Sequence, residues 1–424
     1  MSYPSKFTPI PNKDDLIHAY KGRSIKDLPT PSIIINKNKF EINCNKMLEN
    51  AANLGADFRA HIKTHKSIEG TILQLGTAKY KTDKIVVSTM MEAWKVLPLV
   101  EKGLINDIHF SLPVVKSRLS ELADFSKSVP HLRLMLDHAD QLDLLAEFSR
   151  VNPGTKKWSV FIKIDMGTHR AGLEIGSKAL DQTLYKAIVD NSITEHVEIY
   201  GFYCHAGHSY NSDSKETAKQ CLINEIVHGN KAALMAKKLN PKLDFFVSVG
   251  ATPTAHVSEI LTLEDLKENL EGDELIGKLE LHAGCYPCCD LQQLSIGYIS
   301  QPDISLYLIA EVISTYPNRG NSSPGEQLIN VGVLGLGREF GPVIGHGKVV
   351  EQKGYGDWVV GRISQEHGIL TPLNDTNNNK FIPHGTQVKI MPQHACITAA
   401  AHPWFYIVND DDIVIDIWIP MRGW

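Results

Sequence analysis

No stretch of this chain approaches the about 18 consecutive apolar residues that a membrane helix needs, so a membrane partner is not expected. Surplus positive charge is missing too: the formal net charge is -5, and no arginine-rich patch is present to neutralise the phosphates of a nucleic acid. The opening MSYPSKFTPIPNKDD has no apolar core after its single early lysine, so no signal peptide is expected and the location read from it is cytoplasmic. Cysteine is scarce and odd in number, seven in all, which argues for reduced thiols or a metal ligand over a disulfide framework. No internal repeat is evident.

What is present is the composition of an ordinary globular protein, 43% hydrophobic and 21% charged over 424 residues. That length exceeds what one core usually serves, so two domains are expected, one of them a barrel of roughly 250 residues. A polar, proline-punctuated opening stops at LPTP, residues 28–31, before the apolar run Ser32–Ile35. Phe40, Cys44, Met47, Leu48, Ala51 and Leu54 then mark one face of a helix. Strand-like runs follow, each with a helix behind it: the segment ending at Lys63, then Lys84–Ser88, Asp107–Phe110, Leu132–Leu136, Trp158–Ile164, Val197–Tyr203, Asp244–Val249 and Lys278–Leu281. This alternation predicts an α/β fold with an N-terminal (β/α)₈ barrel over residues 31–290, an open doubly wound sheet being the alternative. From residue 291 to 424, runs rich in valine, isoleucine and tyrosine, broken by glycine and proline, predict a mostly antiparallel β domain, with residues 1–30 packed on it. Its strands are expected at Tyr307–Tyr316, Gln327–Leu336, Trp358–Ser364, Gln387–Met391, Phe405–Val408 and Ile413–Ile419, with NDTNNNK at 374–380 as a mobile loop tip.

Chemistry gathers at the ends of the expected barrel strands. In FRAHIKTHK, residues 58–66, Lys63 lies among Arg59, His61, His65 and Lys66. Cationic neighbours and partial burial are what make a lysine amine reactive enough for a Schiff base, although a bare cluster of this kind also reads as a solvated basic loop. KIDMGTHRAG, 163–172, places Asp165 and Arg170 on a glycine turn, and YGFYCHAGHSY, 200–210, supplies His205, His208 and three tyrosines. VSVGATPT, 247–254, and HAGCY, 282–286, contain no lysine or arginine, so an anion there would be held by backbone N–H groups and hydroxyls. Each turn alone reads equally well as structure. Four of them at successive strand ends, with a reactive lysine, point to an anionic cofactor bearing a lysine-reactive carbonyl: pyridoxal 5'-phosphate.

Taken with LPTP, AHIKTHK, SQEHGIL at 364–370 and MPQHAC at 391–396, these motifs resemble the eukaryotic D-serine dehydratase family in order and over nearly the whole chain. The resemblance implies the alanine-racemase-like fold, type III of the pyridoxal-phosphate enzymes, in a homodimer. It implies Lys63 as the Schiff-base lysine, Tyr203, Tyr210, Thr252, Gly284 and Cys285 as cofactor contacts, and His394 and Cys396 as ligands of Zn2+. Cys285 stands where some members carry asparagine, which leaves its backbone N–H as the contact to expect, and the pair Cys288 and Cys289 reads as packing. The implied activity is conversion of a small D-amino acid, D-serine, to pyruvate and ammonia, with Lys63 taking the α-proton and zinc easing loss of the β-hydroxide.

On their own residues, His394 and Cys396 at i and i+2 of an extended segment would point to one side and could share an ion, though a half-buried histidine beside a core cysteine has the same signature. Glu366 and His367 are candidates to orient those ligands, and His205 and His208 are assigned to the cofactor. A D-threonine aldolase-like enzyme, a 3-hydroxyaspartate dehydratase and a small non-catalytic pyridoxal-phosphate-binding protein remain as alternatives. The last of these lacks the C-terminal β domain expected here.

Overall fold

The computed structural model describes residues 3, 8–270, 272, 274–374 and 379–424. Its first strand, β1 (Ser32–Asn36), is followed by the helix Lys37–Asn53, which Asn36 caps by accepting from the Lys39 N–H at 3.0 Å. Eight parallel strands then close into a barrel: β2 (Asp57–His61), β3 (Lys84–Val87), β4 (Asp107–Pro113), β5 (His131–Leu136), β6 (Trp158–Ile164), β7 (Val197–Cys204), β8 (Phe246–Val249) and β9 (Lys278–Ala283). The barrel is the expected one, and β6, WSVFIKI, shows why it was readable. All seven of its residues are buried, since barrel strands face the interior on one side and helices on the other.

The C-terminal part is a nine-stranded sheet. Its strands are β10 (Leu306–Pro317), β11 (Gly325–Ile329), β12 (Gly347–Val349), β13 (Trp358–Ile363), β14 (Gly368–Pro372), β15 (Gln387–Pro392), β16 (Phe405–Val408) and β17 (Val414–Trp418), in the order β11-β14-β13-β12-β15-β10-β1-β16-β17. Two expectations are corrected here. Ser32–Asn36 was placed with the barrel, yet β1 lies inside this sheet, antiparallel to β10 and parallel to β16. The expected strand Gln327–Leu336 stops at Ile329, and Val333–Leu336 is a helical turn. β12 and β14 are further strands that the sequence did not single out. Of the expected loop tip NDTNNNK, residues 375–378 lie outside the described residues. The helix Lys13–Tyr20 sets Leu16, Ile17 and Tyr20 against the sheet, Tyr20 meeting Tyr406 edge-on at 5.0 Å, while Tyr3 stacks on Trp94 beside the barrel. One apolar core runs from the barrel helices through Phe40 into Leu306, Leu308 and Trp418 of the sheet.

Polar side chains fill the barrel floor. Arg59 is fully buried, bonded to Glu280 at 2.7 and 3.0 Å and to Asp107 at 2.6 Å; Arg133 adds a bond to Asp107 at 3.0 Å and Lys84 one to Glu280 at 3.1 Å. Against the cost of burial, the Arg59 and Arg133 guanidiniums hold Asp107 down to about 2. Above this layer sit rings: His109 against Phe161 at 4.8 Å, and Tyr203 stacked on His282 at 3.9 Å.

Burial pushes the pKa of His65 and His256 down to about 4 and that of His109 to about 3. Each is a base whose folded pKa lies below its unfolded value near 6.5, so as pH falls the unfolded chain takes up the proton first. Each ring should therefore cost about 1.4 kcal/mol of stability per pH unit below 6.5, until the pH passes its folded pKa. Urea midpoints measured from pH 7 to pH 4.5 should fall steadily. A flat profile would mean that these rings are charged in the fold.

Candidate active site

At the C-terminal ends of the barrel strands lies a cavity of about 580 Å³. This is the face where barrel enzymes assemble their sites from successive strand-end loops. Lys63 reaches it from the end of β2, Lys163 from β6, Tyr203 from β7, Thr252 from the loop after β8, and Gly284 and Cys285 from the turn after β9. Tyr210 completes the wall from a 3-10 turn, Gly207–Asn211, so the six residues implied as cofactor contacts, Lys63, Tyr203, Tyr210, Thr252, Gly284 and Cys285, line one cavity.

The flanking cations do not crowd Lys63 as the sequence suggested. Arg59 is turned into the barrel floor between its carboxylates. Lys66 pairs with Glu92 at 2.9 Å, and the His65 ring bridges Ser67 and Gln74 at 3.0 and 2.7 Å. His61, two residues before Lys63, lines the cavity with it, and the Lys63 N–H approaches His61 Nδ1 at 3.4 Å. A second lysine shares the space: burial, followed by the nearby charge of Arg170, pushes the Lys163 pKa down to about 8.

The end that could take a phosphate is built without a basic side chain in its loops. Thr252 Oγ1 accepts the Cys285 N–H at 3.0 Å, and the Tyr210 hydroxyl lies against Thr252. Gly250, at φ +140, could not be replaced, because a Cβ there would fall 2.1 Å from the His282 carbonyl oxygen. Among the described residues, two buried polar atoms beside this cavity have no partner, Ser209 Oγ next to Tyr210 and His282 Nε2. His282 Nδ1 is already bonded to Ser248 Oγ at 3.0 Å, so only Nε2 is free to meet another polar group. A buried polar atom without a partner is costly, and a cofactor with ring and phosphate acceptors and donors fits this lining. His208 is exposed and does not line the cavity, which corrects its assignment; His205 does line it, donating from Nδ1 to the Gly250 carbonyl at 2.7 Å.

Residues 35–261 match the family model described as alanine racemase, N-terminal domain, and residues 305–408 match a serine dehydratase domain model. The D-serine dehydratase of Schizosaccharomyces pombe is 47% identical over all of this chain and 98% of its own length. That of Saccharomyces cerevisiae is 38% identical, over 97% of this chain and 100% of its own. The chain belongs to the D-serine dehydratase family. Among solved structures, D-threo-3-hydroxyaspartate dehydratase from Delftia sp. HT23 superposes with a TM-score of 0.78 at 25% identity, covering 95% of this chain and 100% of that one.

In this D-serine dehydratase family member, His394 and Cys396 come together by a route other than the expected extended segment. His394 is the N-cap residue of the helix Ala395–Ala400, and Cys396 lies in its first turn. The His394 Nδ1–H donates to Gln292 Oε1 at 2.8 Å, which turns the other ring nitrogen towards the Cys396 sulfur. Burial opposes charge on the ring, but the Cys396 charge outweighs it and pushes His394 up to about 9. The Cys285 thiol hydrogen bond, against burial, and then the His394 charge hold Cys396 well below the thiol range. One imidazole and one thiolate are a donor set suited to zinc, and two protein ligands leave positions open.

Glu366 and His367 are exposed, and Glu366 accepts from Gln365; besides Cys285 and the Tyr210 ring, the ligand pair is touched by Gln292 and by Thr64, whose Oγ1 lies 3.0 Å from Cys396 Sγ. Neither carried a sequence signal, since they lie 102 and 332 residues from their partners. Cys288 and Cys289 are buried, and all seven cysteines are free thiols. Asp165, His169 and Glu174 also bring three donor atoms within 4.8 Å, but Asp165 already accepts from the Gly167 and His169 N–H groups, and the other two residues are exposed.

Proposed function

We propose that this protein is a pyridoxal-phosphate- and zinc-dependent dehydratase that converts D-serine to pyruvate and ammonia. The observation that carries this reading is the 3.0 Å approach of Thr64 Oγ1 to Cys396 Sγ, which sets the His394–Cys396 pair one residue away from Lys63. Lys63 lines the cavity, and the pair that could hold a Lewis acid lies against its wall, where the ring of the lining residue Tyr210 stacks on His394 at 5.9 Å. Thr252, Tyr210 and the Cys285 N–H would hold the cofactor phosphate, Tyr203 and His282 would border its ring, and Lys63 would bind its carbonyl.

Bound pyridoxal phosphate supplies an electron sink for charge developing at the substrate Cα. A zinc ion on His394 and Cys396 supplies Lewis acidity for a leaving hydroxide. The chain's own part is to place the Lys63 amine where it takes the α-proton.

Incubating the purified protein with D-serine, L-serine, D-threonine and 3-hydroxyaspartate should give keto acid from D-serine alone. A chelator should lower that rate about 100-fold or more while the visible absorbance of the protein persists, and zinc should restore it. Glycine and acetaldehyde from D-threonine would make the protein an aldolase instead; a rate indifferent to chelation would remove the metal from the reaction.

We also infer the homodimer that the family resemblance implies. Phe340 and Ile344 are 67% and 69% exposed on the turn whose Phe340 carbonyl accepts from Gln292, the residue that orients His394. Such apolar exposure marks a surface that a partner covers. Sedimentation equilibrium should return twice the mass of one chain; a monomer would contradict this.

A further inference from the structure

The helix Lys215–Leu239 carries a carboxyl group that the chemistry above does not use. Glu225 is fully buried, and its Oε1 accepts the Ala206 N–H at 2.5 Å, just beyond the end of β7. The Gly250 N–H and the Thr254 hydroxyl, beyond the end of β8, flank the same carboxyl, while Oε2 has no well-formed partner among the described residues. Gly229, one turn along, lets the helix come this close. A Cβ at that position would sit 2.5 Å from Val247 Cγ1 on β8 and 3.4 Å from Cys204 Sγ on β7. The two loops so joined bear Tyr210 and Thr252, and a further link between them is the bond from His205 Nδ1 to the Gly250 carbonyl.

We propose that Glu225 is a positioning residue for the cofactor-phosphate cradle, fixing the spacing of the Ala206–Tyr210 and Gly250–Thr254 loops as a neutral carboxyl; this rests on the pyridoxal-phosphate reading above. Neutrality matters because a carboxylate buried beneath a phosphate dianion would repel it. Burial, opposed by the hydrogen bond from Ala206, raises the Glu225 pKa to about 8, in keeping with a retained proton.

The test compares E225Q, E225D and E225A with the wild-type protein, each stripped of cofactor and titrated with pyridoxal phosphate by fluorescence, with ³¹P spectra of the bound phosphate and thermal unfolding of the cofactor-free proteins. Glutamine has the shape of a neutral carboxyl and should bind within about threefold of wild type, with the same ³¹P shift. Aspartate, one methylene short, and alanine should bind about tenfold or more weakly and shift the ³¹P line, the cofactor-free E225D protein keeping close to the wild-type unfolding temperature. Binding as weak in E225Q as in E225A would show that a negative charge is needed and would overturn the neutral-carboxyl role. Native affinity in E225A would overturn it as well. Should E225A not fold, native affinity in E225D has the same force. Wild-type protein that takes up no pyridoxal phosphate would refute the cofactor reading itself, whereas wild-type uptake with unaltered variants refutes only the role of Glu225.

Discussion

Replacing Lys63 by alanine should abolish the visible absorbance of the cofactor-loaded protein and lower pyruvate formation from D-serine by about 10⁴-fold or more, since in the proposed mechanism one amine serves both as anchor and as base. The alternative anchors are two. Lys66 is tied to Glu92 at 2.9 Å and faces away from the cavity lining, so Lys66→Ala should keep the absorbance. Lys163 is the sharper competitor: it lies in the same cavity, and burial followed by the charge of Arg170 brings it down to about 8. Borohydride reduction of the wild-type protein and peptide mapping should find the label on Lys63, and a label on Lys163 would reverse the assignment.

Arg59→Met should cost about 3–5 kcal/mol of stability, because it strands the Glu280 and Asp107 carboxylates in the barrel floor without the guanidinium that joins them. Glu280 is fully buried and keeps only Lys84 and the Ser248 hydroxyl; Asp107 keeps Arg133. The contrast is Arg362, whose side chain is 64% exposed on Glu326, where the same change should lower the unfolding free energy measured in urea by less than about 1 kcal/mol. Equal effects at the two sites would mean that the floor rearranges to admit water.

Barrel strands such as β3, β6 and β8 were readable because burial on both faces makes them nearly continuous apolar runs. That same property hid the place of β1: its five residues are all buried, and nothing in SIIIN distinguishes a barrel strand from one at the middle of a mixed sheet. Lys63 was found through its basic neighbours, which the fold then sends elsewhere; what brings it to the cavity is its place beyond the end of β2. His394 and Cys396 were found as a spaced pair, but the alanine-rich ACITAA that follows His394 forms a helix, so the pair meets across a helix start and not along a strand. Gln292, Thr64 and Glu225 were missed because each acts on a group far away in the chain, and a single sequence carries no trace of such pairings.

The position of β1 also settles what can be cut apart. Ile33, Ile34 and Ile35 fill the gap between β10 and β16, so a fragment beginning after the barrel would hold a sheet split in two, with β16 and β17 on one side of the break and six strands on the other. A fragment ending with the barrel would carry three bare isoleucines on an unpaired strand. During synthesis, that strand must wait beside the nearly finished barrel until about 270 further residues have been made and β10 arrives to pair with it. The two regions are distinct in architecture, yet the polypeptide is stitched so that neither is complete before the other.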